Sequence, residues 1–301
     1  MNEVISVYFK LRLLLTLSLV LASFLSAAAF CAQPKTTRPI TALRYADSKR
    51  YKISIEDKTS WRYMNPGLRE SFHKDIETAL IAWLQHIEGS GAVSLVIRFD
   101  PTEKGRATGR SVRSSFLKEE GRHRIYEQAL VAKLLNRVDR PSNNFDIELI
   151  IDPGYLNELW FDPEPTRRSA SIPRNKLDAV SVFMHEFGHA LAFNGWLNQT
   201  NGKITSRGLS SFDRNVRFIK DKFYFYGPHT MSVYGGPVVL GKSRNNYHHL
   251  GDTLDDDSRL VDDLMNGVVM KYQKRYYVSE LDLAVLKDCG IPCGGLTSQG
   301  P

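Results

Sequence analysis

Apolar residues recur at helical spacing between Glu70 and Glu88. Phe72, Ile76, Ala79, Leu80, Trp83, Leu84 and Ile87 fall on one face, and "GSG" ends the run. "VSLVIRF" (93–99) then reads as a buried strand, while "FDIELIID" (145–152) alternates and stops at Pro153 and Gly154. Between them Ile125–Arg137 carries a second helical pattern, and the charged stretch Pro101–Arg124 reads as loop. Further on, Ala179, Val180, Val182, Phe183, Leu191 and Phe193 supply the apolar surface of a helix that Asp178 can cap, with its stop expected near Asn194 and Gly195. A helix, then strands, then a second helix predicts an α+β fold with a mixed, twisted sheet and helices packed on one side.

The apolar run at the N-terminus belongs to a different class. Lys10 and Arg12 precede "LLLTLSLVLASFLSAAAF", whose small-residue end is what a signal peptidase needs, so residues 1–32 are expected to be a signal peptide. A membrane anchor is the competing reading, because Leu11–Phe30 is just long enough to span. Phe30, where a small residue would precede a lipidated cysteine, argues against lipidation of Cys31. Residues 33–70 are expected to be an irregular lead-in or a pro-segment, and residues 71–301 the folded domain, since no repeat or low-complexity linker divides them. The mature protein is expected to be secreted or periplasmic, with no stable membrane insertion, and a monomer.

Composition changes this picture little. The 40 Lys and Arg against 33 Asp and Glu give a formal charge of +7, and 42% hydrophobic content suits a globular chain. Arg106, Arg110, Arg113, Lys118, Arg122 and Arg124 cluster, but no nucleic-acid-binding signature accompanies them, so they read as a solvated face and no nucleic acid partner is expected. Cys289 and Cys293 are candidates for a local disulfide in an oxidising compartment. The acidic run Asp255–Asp257 lacks the spaced oxygen ligands of a calcium loop.

The chemistry concentrates in "HEFGH". His185 and His189 lie four apart, so on a helix both imidazoles reach one ion, and Glu186 points near the same place without having to ligate. This is the H-E-x-x-H pattern, in which two histidines hold zinc and the glutamate is general base. Two core histidines bonded to backbone carbonyls would also fit the spacing. Glu186 argues against that, because a carboxylate buried beside them without a cation carries a desolvation penalty of several kcal/mol.

A catalytic zinc needs a third protein ligand. The compact pattern with a third histidine six residues on fails here, since that position is Gly195 and the motif's glycine position is Ala192. "NNYHHLGDTLDDDSRLVDDLMNG" (245–267) offers His248 and His249 followed by a methionine, and "VSELDLAVLKDCGI" (278–291) follows it. In this order of segments the last 115 or so residues resemble leishmanolysin-type metzincins, in which a long insertion separates the histidine helix from the third histidine. The resemblance implies a zincin-like fold with a mainly helical or irregular C-terminal lobe, Zn2+ held by His185, His189 and His249, Glu186 as catalytic base and Met265 as the Met-turn residue. His249 is preferred over His248 because the family's ligand is followed by a bulky apolar residue, here Leu250; His229 and Asp252 are further candidates.

It also implies a zinc metalloendopeptidase acting on a protein or peptide substrate. The alternatives are an inactive zincin-fold binding or adhesion protein, and a zinc hydrolase of a cell-wall amide. The tyrosine that some metzincins carry just after the Met-turn methionine is absent, because Asn266, Gly267 and Val268 follow Met265. Tyr234, Tyr247, Tyr272 and His248 are the substitutes the sequence offers. "NG" at 194–195 is expected to carry the histidine helix about one turn further than glycine at 192 would.

Overall fold

The computed structural model describes residues 50–57, 66–137, 145–205, 208–241, 246–251, 258–267 and 270–294, all within one compact unit. The expected signal peptide, Cys31, Asp252, Asp255–Asp257 and Val268 lie outside the described residues.

The N-terminal half is a four-stranded mixed sheet laid against two helices. Its strands are β1 (Tyr51–Asp57), β2 (Gly91–Phe99), β3 (Ala107–Ser111) and, after the hairpin and helix described below, β6 (Ile147–Ile151). The order is β1-β2-β6-β3, with β1, β2 and β6 parallel and β3 antiparallel to β6 at the edge. Helix α1 (Arg69–Leu84) packs against α3 (Ala179–Leu191), which also lies against β3. The Trp83 indole N–H donates to the Met184 carbonyl at 2.7 Å, fixing one helix on the other. Phe72 stacks edge-on against Phe99, Phe161 and Phe183, joining sheet, loop and both helices in one apolar core.

The mixed α+β organisation anticipated from the sequence is present, and several element assignments need correction. Residues 33–70 are not irregular throughout, because Tyr51–Asp57 pairs with β2 along its whole length and extends the sheet ahead of residue 71. The Pro101–Arg124 stretch is largely strand: β3 is followed by β4 (Ser114–Glu120), which forms an antiparallel hairpin with β5 (His123–Gln128). The helical pattern at Ile125–Arg137 therefore divides between β5 and the short helix α2 (Ala129–Leu134). Most of the clustered cations meet carboxylates, with Arg110 on Glu148, Arg106 on Glu103, Lys118 on Glu120 and Arg124 on Glu119.

Short strands β7 (Leu159–Trp160) and β8 (Leu177–Asp178) pair in parallel and lead into α3. The C-terminal part is less helical than expected. β9 (Gly208–Ser210) joins the β4–β5 hairpin, and β10 (Val216–Ile219), β11 (Lys222–Phe225) and β12 (Val238–Val239) form an antiparallel sheet. Around them lie α4 (Pro228–Tyr234), α5 (Ser258–Val261) and α6 (Glu280–Asp288), and α6 begins with a Ser279–Asp282 capping box. Cys289 and Cys293 are buried free thiols, not a disulfide; burial raises both, Cys293 to about 12, so they stay protonated. No described helix is long and apolar enough to cross a membrane.

Beneath the N-terminus of α3 lies a buried charge network. Arg168 holds Asp178 and donates to Ser181 Oγ at 2.8 Å, while Arg275 holds Asp162 at 3.0 Å. Asp75 adds a third carboxyl, accepting from the Asp162 backbone N–H at 3.0 Å. Burial pushes Asp75 up to about 8, with the Asp178 and Asp162 charges adding to it and the Asp162 N–H and Arg168 opposing. The folded state thus holds a proton that the unfolded chain releases above about pH 4. Asp75 stabilises fully below that pH, and its contribution is lost as pH rises toward 8, by up to about 1.4 kcal/mol per pH unit. Asp75→Asn keeps an acceptor for the Asp162 N–H and removes the titration. In thermal melts from about pH 5 to about pH 9, the wild type is expected to lose Tm relative to the variant; parallel curves would refute this.

Candidate metal centre

Helix α3 starts as its sequence predicts. Asp178 accepts the Ser181 N–H at 2.9 Å as N-cap. The helix ends at Leu191, earlier than Asn194–Gly195 suggests. Ala192 and Phe193 both turn their N–H groups back to the Gly188 carbonyl, at 3.0 and 3.1 Å, and Phe193 is buried. Core burial of that side chain, not left-handed geometry at "NG", sets the stop.

On this helix His185 and His189 share a face, and His249 meets them from the distant loop. The three Nε2 atoms form a triangle with edges of 3.0 Å (His185–His249), 3.1 Å (His189–His249) and 3.3 Å (His185–His189). Each ring is oriented from behind. His185 Nδ1 lies 2.8 Å from the Leu264 carbonyl and His189 Nδ1 2.8 Å from the Phe193 carbonyl. His249 Nδ1 is directed toward the Asn246 carbonyl, short of full hydrogen-bond geometry. With Nδ1 as the proton-bearing atom, all three Nε2 lone pairs face one another.

That arrangement is repulsive by itself and becomes favourable around a cation. Three imidazoles ligating tetrahedral zinc at about 2.0–2.1 Å would stand about 3.3–3.4 Å apart, close to the observed edges. Burial lowers the basicity of all three; for His189 the neighbouring His185 adds to it, and for His249 both other rings do. The rings are neutral, as ligands must be.

His249 is placed by backbone bonds on both sides. The Gly241 N–H donates to its carbonyl at 2.9 Å, and the next residue, Leu250, donates to the Met265 carbonyl at 2.8 Å. Residues 264–266 thereby position two of the three imidazoles, since the Leu264 carbonyl holds His185. Met265 is fully buried beneath α3: a Cβ on Gly188 would run into its sulfur and lie 2.8 Å from its Cε. The segment is tied down by Asp263, which accepts from the Ser279 hydroxyl at 2.7 Å.

Glu186, next to His185 on α3, reaches the sheet edge. Its Oε2 accepts the Gly109 N–H of β3 at 2.8 Å. Burial pushes the carboxyl up to about 8, opposed by the Gly109 bond and by Arg106. A nearby divalent charge would reverse that shift.

The remaining candidates lie elsewhere. His248 Nε2 faces the Gly195 carbonyl at 3.1 Å, away from the other rings, and burial lowers it to about 4. His229 sits on α4 with its backbone N–H on Asp288, outside the three-imidazole group. Tyr247 is unsuited to meeting a substrate, because its buried hydroxyl donates to Asp213 at 2.7 Å and accepts the Leu197 N–H at 2.8 Å. Gly109 and the Leu264 and Phe193 carbonyls are not legible in the sequence as site groups. No hydropathy pattern or motif marks them. Compared with known proteins, the chain matches no family model, no curated protein and no solved structure.

Proposed function

We propose that this chain is a secreted zinc metallopeptidase with a metzincin-like fold. His185, His189 and His249 are the ligands, Glu186 is the general base and Met265 is the floor beneath the ligand helix. The observation that carries the reading is the triangle of three imidazoles whose Nε2 atoms converge within 3.3 Å, two of them held from behind by backbone carbonyls, with the half-buried carboxylate of Glu186 next to His185 in the chain. His185, His189 and His249 would hold the zinc, which when bound would supply a Lewis acid for the substrate carbonyl and lower the pKa of a bound water. Glu186 takes the proton of the attacking water and delivers it to the departing amine. An inert zincin-fold binder, with its zinc structural or absent, would be favoured by a missing third ligand; the approach of the His249 ring to the other two supports the catalytic reading instead.

A peptide substrate is favoured by the sheet. Among the described residues β3 pairs only with β6; apart from the Gly109 N–H, which serves Glu186, its other edge keeps backbone groups on which an extended chain can lie.

The test is metal dependence of the wild type. The purified mature protein should carry one zinc and cleave casein or a peptide library. A chelator should abolish cleavage and lower Tm, because a ligand bound only by the folded state at 100 times its Kd contributes about 2.7 kcal/mol, and added zinc should restore both. Cleavage that survives complete metal removal, or zinc binding with no peptide cleaved, would refute the proposal.

A further inference from the structure

His189 and His249 stand 60 positions apart in the chain, yet their Nε2 atoms lie 3.1 Å apart. The segment that follows His189 and the segment that precedes His249 are joined at three successive residues. The Gly195 carbonyl lies 3.1 Å from His248 Nε2, the Trp196 N–H donates to Asp213 at 2.7 Å, and the Leu197 N–H donates to the Tyr247 hydroxyl at 2.8 Å.

Asp213 closes this junction from outside both segments. Its Oδ2 accepts the Trp196 N–H and, at 3.1 Å, the Ser210 N–H, while its Oδ1 accepts the Tyr247 hydroxyl proton at 2.7 Å. The Asp213 N–H donates in turn to Ser210 Oγ at 2.9 Å, so the carboxylate stands on a fixed turn. Asp213 and Tyr247 are buried, and no cation pairs with Asp213 among the described residues, so the hydrogen bonds alone hold the charge. Bonds to an ionised acceptor are stronger and shorter than neutral ones, which makes such a junction stiff. It also has no slack: a Cβ on Gly195 would run into Asp213 Oδ1 and the Tyr247 hydroxyl and stand 2.7 Å from Asp213 Cγ. Stacking reinforces both sides. The Tyr247 ring lies on Phe223 with centroids 4.7 Å apart, and Phe212, the residue before Asp213, packs at 5.8 Å against Phe193, whose carbonyl orients His189.

We infer that Asp213 is a positioning residue for the metal centre: by gripping the Trp196 N–H and the Tyr247 hydroxyl together, it fixes the chain after His189 against the chain before His249 and sets where the third imidazole stands. It touches neither ligand nor substrate and acts through the two segments it joins. A third ligand held in place before the metal arrives need not be ordered at binding, and that saving appears as affinity. Without the clamp His249 keeps the Gly241 bond to its carbonyl and the Leu250 bond to Met265, so the ligand is loosened and not lost.

This inference rests on the metal-centre reading, and the experiment separates the two. Asp213→Asn keeps the shape and one acceptor oxygen but turns an amide donor toward one set of its partners. Tyr247→Phe keeps the packed ring and removes the hydroxyl. In the purified mature protein each should weaken zinc binding about 10- to 100-fold in chelator competition, the scale of losing a group that orients a ligand. The double variant should bind no more weakly than the weaker single one, because both changes open the same clamp. The visible spectra of the cobalt(II)-loaded variants, which report ligand number and geometry, should differ from that of the wild type. Asp288→Asn is the control for loosening alone, since its side chain bonds to the His229 and Thr230 N–H groups and to neither ligand-bearing segment; it should lower Tm and leave zinc affinity unchanged. If the wild type binds zinc and the two clamp variants bind it as tightly, whatever their Tm, this inference fails alone. It fails alone, too, if Asp288→Asn loses as much affinity as they do. If the wild type binds no zinc, the metal-centre reading fails and this inference with it.

Discussion

Glu186→Gln should bind zinc at the wild-type stoichiometry and lose about a thousandfold in kcat/KM, whereas His249→Ala should lose metal and turnover together. The separation follows from where each side chain points. His249 contributes one corner of the Nε2 triangle, and without it two imidazoles 3.3 Å apart remain, fewer than the three protein ligands of a catalytic zinc site. Glu186 contributes no corner. Its carboxylate is turned to the Gly109 N–H at 2.8 Å, and the amide of Gln keeps an oxygen for that bond while giving up the ability to take a proton. General-base removal costs about 10²–10⁴-fold. Zinc measured on the purified variants, with peptide cleavage on the same samples, reads both effects. A Glu186→Gln protein that still turns over near the wild-type rate would end the general-base assignment, and a His249→Ala protein with full zinc would end the ligand assignment.

What could be read from the sequence divides along physical lines. Helix α1, strands β2 and β6 and helix α3 bury a complete face or both faces, so their hydropathy carries the period of the element. β3 and β4 leave no strand pattern because edge and hairpin strands carry charge on their open side; "RATGRS" and "SSFLKEE" show too few apolar residues to alternate visibly. β5 merges with a helix pattern because Ile125 falls at helical spacing from the apolar residues of α2. The site divides in the same way. His185, Glu186 and His189 need only the helix period to meet. His249 stands 60 residues from His189 and converges on it because Leu250 is buried and hydrogen-bonded to Met265, a pairing visible only in three dimensions. Backbone groups such as the Leu264 and Phe193 carbonyls have no residue signature.

Gly109 makes the coupling of sheet and site testable, and Gly109→Ala should lower kcat about 100-fold while leaving zinc content unchanged. A Cβ at this position would stand 2.7 Å from the carbonyl carbon and from the Cβ of Glu186, and closer still to the carbonyl oxygen. The glycine's φ is not in the left-handed region, so the demand is for close approach and not for unusual backbone geometry. Because the obstacle is helix backbone, no rotamer change relieves it, and β3 must move away from α3 by about 1 Å to restore van der Waals distance. That shift would break the 2.8 Å bond holding the Glu186 carboxylate, and a misplacement of about 1 Å costs on the order of 10²-fold in rate. Overpacking should also cost about 1–3 kcal/mol and lower Tm. The three imidazoles are anchored by Leu264, Phe193 and the Leu250–Met265 pairing, none of which is on β3, so metal affinity should survive. Gly236→Ala is the control, because its Cβ would meet nothing within 4 Å and its φ is not positive. If Gly109→Ala were as active as Gly236→Ala, the edge strand would not be what aims Glu186. Loss of zinc along with activity would mean that β3 supports the ligand helix as a whole, and the N–H to carboxylate bond would lose its separate role.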